Sequence, residues 1–467
     1  MTFAGFDLDR TDALARALRN ACDQAPDLSR AIAATLDEAH EIIMTADGAP
    51  LPRGGTWSTD YDAQRVGLTT VTRDASLRAG QIERRAAHLR ACEKLDRDGF
   101  WVDLAHVFDD APPPDEESIR RVLGELRSAS GDDTGWNGNH DDLTEALEHL
   151  QGLKDDELDA VLLGLTDDEY AKLDAAMRRG DGFFSDNGLS NDELLQLGTD
   201  ILPRASAAAV RRLSSGLPVL EPTFGNLETP VEGDYSWGGS ISLDGASLDD
   251  INQGAVGDCW FLAGLGAELR ADPSFVADHV TDNGNGTWTV TLYRDGKPVP
   301  VTVDGSVPGG SSPRFAHGPG GAPNWVSIYE KAFARFHGSY GDIEGGWGDQ
   351  SMEAITGRDA DRHTDGMFSD LPSLDEVKKQ LDAGHPVTVG TKDDASVWPW
   401  GADDDDDRVF DKQLVSHHEY IVVKVEDTDD GERITVRNPW GNTDQAPEQV
   451  VLDEDEYRRW FSEVSVG

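Results

Sequence analysis

The residues best placed to do chemistry stand in one run, Gln253-Gly-Ala-Val-Gly-Asp-Cys-Trp-Phe-Leu-Ala263. Its two glycines and Asp258 read as a loop, and the apolar stretch from Cys259 onward reads as a buried helix. Cys259 then stands in the first helical turn, where the partial positive charge of a helix N-terminus favours thiolate over thiol. A thiolate is the nucleophile that an acyl-transfer enzyme needs. Gln253 lies across the same loop, so its side-chain amide and the backbone N–H of Cys259 are expected to form a two-donor oxyanion hole. A lone cysteine before a helix is ordinarily a structural thiol. Here that reading must also account for Gln, Gly, Gly and Asp at these spacings.

A cysteine nucleophile needs a base and a group that aims it. His417-His418-Glu-Tyr-Ile-Val-Val begins one β-patterned run, and Arg437-Asn438-Pro-Trp-Gly441 ends the next. If the two runs pair as a hairpin, a histidine at the start of the first lies near Asn438 at the end of the second. Asn can accept the imidazole N–H and fix its tautomer. Pro439, with no donor for the ladder, stops the strand, and Trp440 is placed to shield the contact from water. Alternation lets only one of His417 and His418 face the site. His40, His88, His106 and His140 lie in polar or helical contexts and read as surface or satisfied core residues.

Gln253-Gly-x-x-Gly-Asp-Cys259-Trp, then His418-x-Tyr, then Arg437-Asn438-Pro-Trp-Gly441, together resemble the calpain protease core. Trp325-x-x-x-x-Glu330-Lys-Ala-Phe-Ala-x-x-x-Gly338-Ser-Tyr340, Val303-Asp304 and Thr356-Gly357 fit the same pattern. The resemblance covers residues from about 220 to 467 and implies a papain-like core of two lobes, one helical around Cys259 and one β-rich. It implies a Cys259–His418–Asn438 triad with Gln253 at the oxyanion, and it selects His418 because the family's histidine precedes one residue and then Tyr. Where this chain has His417, the family usually has Gly. The family's Ca²⁺ sites are matched in part: Leu243, Gly245 and Asp250 fit one, with Pro323 where a further acidic ligand falls, and Asp444 fits one position of another. The implied chemistry needs no cofactor, and Ca²⁺ stays open as an activator.

Strands and turns suited to such a core are visible. Thr287-Trp-Thr-Val-Thr-Leu-Tyr293 and Val299-Pro-Val-Thr-Val303 alternate, with Asn283-Gly284 and Asp295-Gly296 as hairpin signals. Before about residue 220 the chain reads as helical. Leu8, Ala13, Leu14, Leu18, Ala21 and Cys22 recur at helix-like spacing. Breakers at residues 49–57 and a second helical pattern from about Ala63 to Leu95 make a helical hairpin. Cys22 and Cys92 would then stand at similar heights, read as two free buried thiols in preference to a disulfide. Leu-Lys-Asp-Asp-Glu-Leu (153–158), Leu-Thr-Asp-Asp-Glu-Tyr (165–170) and Leu-Ser-Asn-Asp-Glu-Leu (189–194) look like repeated helix starts. Asp186-Asn-Gly-Leu-Ser-Asn-Asp-Glu193 falls one position short of a Ca²⁺ loop and reads as a capped turn. The expected fold class is α+β. The domains are a helical hairpin over 1–111, bounded by Pro112-Pro-Pro114, a helical linker or regulatory domain over 112–218, and the catalytic domain over 219–467.

The 467 residues carry 41 Lys and Arg against 89 Asp and Glu, a net charge of −48. Such a chain is repelled by nucleic-acid phosphates and by anionic membranes, so neither is an expected partner. Asp403 to Asp407 read as a solvated loop. The N-terminus has no basic start or apolar segment, and no apolar run spans a membrane, so the expected location is the cytoplasm or a route of export without a cleavable signal peptide. The main expectation is an endopeptidase acting on protein or peptide substrates through an acyl-enzyme. Its rivals are a non-catalytic scaffold or binding module and an acyl transferase using the same cysteine. For the N-terminal helical half, three roles stand open: binding a partner or substrate, inhibiting the core, or serving as a delivery domain that resembles the helical hairpins of exported bacterial effectors.

Overall fold

The computed structural model describes residues 10–11, 13–22, 24, 34, 57–100, 102, 113–130, 139–178, 188–225, 227, 235–237, 241, 243, 245–308, 315–366, 370–392, 409–410, 414–441, 443 and 446–467. The breakers at 49–56, Pro112, Asp186, Asn187, Asp403 to Asp407, His40, His106 and Asp444 lie outside them. The chain divides into two compact units, Met1–Gly124 with Gly152–Leu165, and Glu125–Gln151 with Thr166–Gly467.

In the first unit, helix α1 spans Trp57–Arg97. Ala79, Ala86, Leu89, Cys92 and Leu95 are buried along it. Residues 13–22 are helical as well, and Arg19 there pairs with Glu83 of α1. No disulfide joins Cys22 and Cys92. Helix α2, Asp155–Gly164, starts where Glu157 accepts the backbone N–H groups of Lys154 and Asp115 at 3.1 and 2.8 Å. Buried His88 lies 2.9 Å from Asp156.

The second unit repeats that kind of helix start twice. Thr166 and Glu169 cap α3, Asp167–Arg178, and Ser190 and Glu193 form a capping box on α4, Asn191–Ile201. Each such cap satisfies donors that the first helical turn leaves open, at about 1 kcal/mol. The sequence read all three starts correctly, because caps are local chemistry.

The chemistry-bearing run opens α5, Cys259–Ala271, in which every residue from Trp260 to Leu269 is buried. Antiparallel strands β1 (Val280–Asp282), β2 (Thr287–Arg294) and β3 (Lys297–Asp304) follow in the order β1-β2-β3. Asp295 and Gly296 at the β2–β3 turn both have positive φ, as a two-residue hairpin loop of this type requires. Helix α6, Trp325–His337, is capped by Asn324 and packs along α5, with Phe261 and Phe333 stacked at 3.8 Å between centroids. Each buried ring of this kind contributes about 1.5–3 kcal/mol. Helix α7, Gly348–Thr356, closes over α5 where both are small. A Cβ on Gly264 would lie 1.8 Å from Ser351 Oγ, and one on Gly266 would lie 2.3 Å from Ile421 Cδ1. These residues share one hydrophobic core.

A second core forms around a six-stranded antiparallel sheet. Its strands are β4 (Asp361–Thr364), β5 (Val387–Thr391), β6 (Glu419–Thr428), β7 (Gly431–Arg437), β8 (Gln449–Asp453) and β9 (Phe461–Val466), ordered β8-β7-β6-β5-β9-β4. Helices α8 (Leu374–Asp382) and α9 (Glu454–Trp460) complete it. The β6–β7 hairpin is the one read from the sequence, with Ile421 opposite Arg437. The chain is thus mixed helix and sheet behind a helical N-terminal half, as expected. Among the described residues, no helix is long and apolar enough to cross a membrane.

Candidate active site

Cys259 is the first residue of α5, as the loop-then-apolar pattern predicts. The helix N-terminus does not give a free thiolate here. Burial pushes the Cys259 thiol up to about 12, against the smaller opposing pull of the backbone N–H groups of Glu419 and Trp260. Loss of hydration thus opposes the helix dipole at a residue that is still partly exposed. The influence of Glu419 on the sulfur also shows how near the start of β6 comes to the beginning of α5.

His418 immediately precedes β6 and is buried. Its Nε2 donates to Asn438 Oδ1 at 2.9 Å, which leaves Nδ1 with the lone pair. Asn438 follows the last residue of β7, and its own N–H donates to Glu448 O at 2.8 Å. The hairpin register thus brings together two side chains that stand 20 positions apart. Burial lowers the His418 pKa to about 4, and the Asn438 bond opposes that shift. Trp440 tilts against the imidazole at 5.0 Å between centroids, and Tyr420 meets it edge-on at 5.1 Å. The Tyr420 hydroxyl accepts the Val415 N–H at 2.8 Å, which fixes the ring that the His-x-Tyr spacing supplies.

Thr391, at the end of β5, is a residue that the sequence reading missed. Its hydroxyl accepts the His418 N–H at 2.9 Å, and its N–H donates to His418 O at 2.9 Å. A single threonine in a buried strand carries no signal of this before the strands are paired. His417 has φ of 50°, a left-handed conformation costing about 1 kcal/mol for a residue with a Cβ. A glycine suits that backbone, which is the physical sense of the glycine in the family pattern at this position.

Gln253 Nε2 donates to Val256 O at 2.7 Å, and the same side chain also hydrogen-bonds the Asp258 carboxyl. The Gln253 backbone N–H donates to Pro439 O at 2.8 Å, tying the loop before Cys259 to the turn after Asn438. Asp258, between that loop and the cysteine, is fully buried against Glu330 of α6. Burial raises its carboxyl to about 7. Burial, then the nearby Asp258, also raises Glu330, whose two oxygens accept the Ala316 N–H at 3.0 and 3.1 Å.

Residues 236–449 match the family described as "Calpain family cysteine protease". The chain is 30% identical over 208 residues to the calpain-type cysteine protease DEK1 of Arabidopsis thaliana, covering 42% of this chain and 9% of that protein. It is 29% identical over 236 residues to the calpain-2 catalytic subunit of Homo sapiens, covering 46% and 32%. Against calpain clp-4 of Caenorhabditis elegans it is 27% identical over 212 residues, covering 43% and 28%. The chain therefore spans less than a third of the length of these relatives.

Proposed function

Residues 236–449 of this chain belong to the calpain family of cysteine proteases, and from that premise we propose that the chain is a cysteine endopeptidase whose catalytic residues are Cys259, His418, Asn438 and Gln253. What supports the reading is the His418–Asn438 hydrogen bond at 2.9 Å just before β6, together with the influence of Glu419, the residue after His418, on the Cys259 thiol. A papain-like division fits the two hydrophobic cores, one holding α5 and the other the sheet that carries the histidine.

Burial disfavours charge on both reacting groups, so the thiol proton moves as the carbonyl is attacked. His418 Nδ1 takes the proton from Sγ, and Sγ adds to the scissile carbonyl carbon. The backbone N–H of Cys259 and the Gln253 side-chain amide stabilise the oxyanion, the amide turning from Asp258 toward the substrate. His418 then returns the proton to the leaving amine, and the acyl-enzyme forms. Water, deprotonated by His418, hydrolyses it. Asn438 keeps Nε2 protonated and the ring aimed throughout.

Ca²⁺ enters no step. Of the positions that the resemblance gives to calcium, Asp250 is the one described carboxylate, and its Oδ2 already accepts the N–H groups of Ser247 and Trp325 Nε1 at 2.8 and 3.0 Å. Pro323 supplies no carboxylate, and among the described residues no three His, Cys, Asp or Glu side chains converge as metal ligands. The calcium positions of the resemblance are thus matched only in part, with Leu243 and Gly245 offering backbone carbonyls beside Asp250.

The test is hydrolysis of an unfolded protein substrate by the wild type and by Cys259→Ala, with and without Ca²⁺. Loss of cleavage with an unchanged melting temperature supports the reading. Cleavage that persists in Cys259→Ala overturns it.

A further inference from the structure

Two glutamates meet in a dry site beside the histidine. Glu419 of β6 and Glu463 of β9 both stand opposite Gly390 of the strand between them, so they lie on one face of the sheet with no side chain separating them. Each is only 4% exposed. A Cβ on Gly390 would lie 2.6 Å from Glu463 Oε1 and 2.8 Å from Glu419 Oε2, so the two carboxyl groups close over the bare glycine and are in hydrogen-bonding contact. Two carboxylates cannot share such a place; a carboxylic acid and a carboxylate can.

We propose that Glu419 and Glu463, sharing one proton across Gly390, are positioning residues that hold the His418 imidazole in line with the Cys259 sulfur. This rests on the reading of Cys259 and His418 as nucleophile and base. The leverage is short. Glu419 adjoins His418, and its own N–H meets the sulfur. The backbone of His418 is pinned to Thr391, one residue beyond Gly390 on the same strand. A bridge from β6 to β9 over β5 therefore fixes three strands at the point where the imidazole projects.

The surroundings favour a single proton. Arg362 Nη1 of β4 lies 3.8 Å from Glu463 Oε2 and favours the anion there, as does the nearby His417. Asp349 in the first turn of α7 disfavours charge on both glutamates. The Thr388 hydroxyl of β5 sits beside Glu419, and Cys259 faces it from α5. Burial, then Glu463, raises Glu419 well above the usual carboxylate range. Burial raises Glu463 too, so the pair holds one proton between its two carboxyl groups. Once the proton is lost at alkaline pH, two facing carboxylates push β6 from β9.

Glu463→Gln replaces the proton-dependent contact with an amide N–H donating to Glu419, which no longer depends on pH. The experiment measures kcat/KM for a peptide and the rate of site-resolved carboxymethylation of Cys259, both from about pH 5 to about pH 9. His418 and Cys259 titrate in both proteins, so the ratio of variant to wild type isolates the glutamates. That ratio is expected to be flat in acid and to climb roughly tenfold toward alkaline pH, one unit of pH-dependent interaction. Glu419→Gln, the mirror variant, is expected to behave alike. In the wild type, an infrared carbonyl band of a buried protonated carboxyl that Glu419→Gln removes should persist at neutral pH and vanish over the same range. A flat ratio in both readouts, or no such band, overturns the proposal, even if melting temperatures change. If the wild type cleaves no peptide but carboxymethylation still shows the pH step, the peptidase reading falls and the shared proton stands.

Discussion

The cysteine and the histidine are held in different ways. Cys259 begins a helix whose residues from Trp260 to Leu269 are all buried, and its height is set by contacts as close as Gly264 against Ser351. His418 stands at the mouth of a sheet, and directional polar bonds set its place: Thr391 on its backbone, Asn438 on its ring, a left-handed residue just before it. Packing fixes the nucleophile and hydrogen bonds fix the base. Damage on the first side should therefore appear mainly as lost stability, and on the second mainly as lost rate.

The largest expected effect tests the rate side. His418→Ala should lower kcat/KM by roughly 10²–10⁴-fold with little change in melting temperature, read by steady-state kinetics beside calorimetry. A large stability loss instead would erase the contrast. Next comes Gly264→Ala, which should destabilise the fold by about 1–3 kcal/mol in denaturant titration, because its methyl group falls on Ser351. Retained stability would mean that α5 and α7 slide apart freely.

A smaller, pH-dependent effect belongs to Asp258. Its carboxyl is raised to about 7 in the folded chain, so the stability it contributes is fully present below its ordinary carboxylate range and is lost as the pH rises through about 7. Asp258→Asn should flatten that decline, seen as melting temperatures that converge in acid and diverge in alkali. The smallest effect is expected for His417→Gly, a gain of about 1 kcal/mol from relief of the left-handed backbone, offset in part by the greater freedom of glycine when unfolded. A loss there would show that the His417 ring makes contacts outweighing its strain.

Much of the site was legible because its parts are local. A glycine loop followed by an apolar run predicts a helix with Cys259 at its head, and two β-patterned runs with a turn between them predict the meeting of His418 and Asn438. The capped helix starts at Asp155, Asp167 and Asn191 were legible for the same reason. What was hidden depends on strand order. Thr391 and Glu463 lie 27 and 44 positions from the residues they touch, and only the sequence β6-β5-β9 places them beside His418 and Glu419. The surroundings of the thiol were hidden too: the helix dipole can be read from a pattern, but the desolvation that opposes it cannot.

The close approach of α5 to its neighbours bears on how this chain can change. At Gly264 and Gly266 every replacement adds atoms where Ser351 and Ile421 already stand, so neither site has a silent neighbour among single substitutions. Variation there should arrive in pairs, with a trim at 351 or 421 preceding growth on the helix. A mutational library covering these four positions should recover the larger residues only in such ordered combinations.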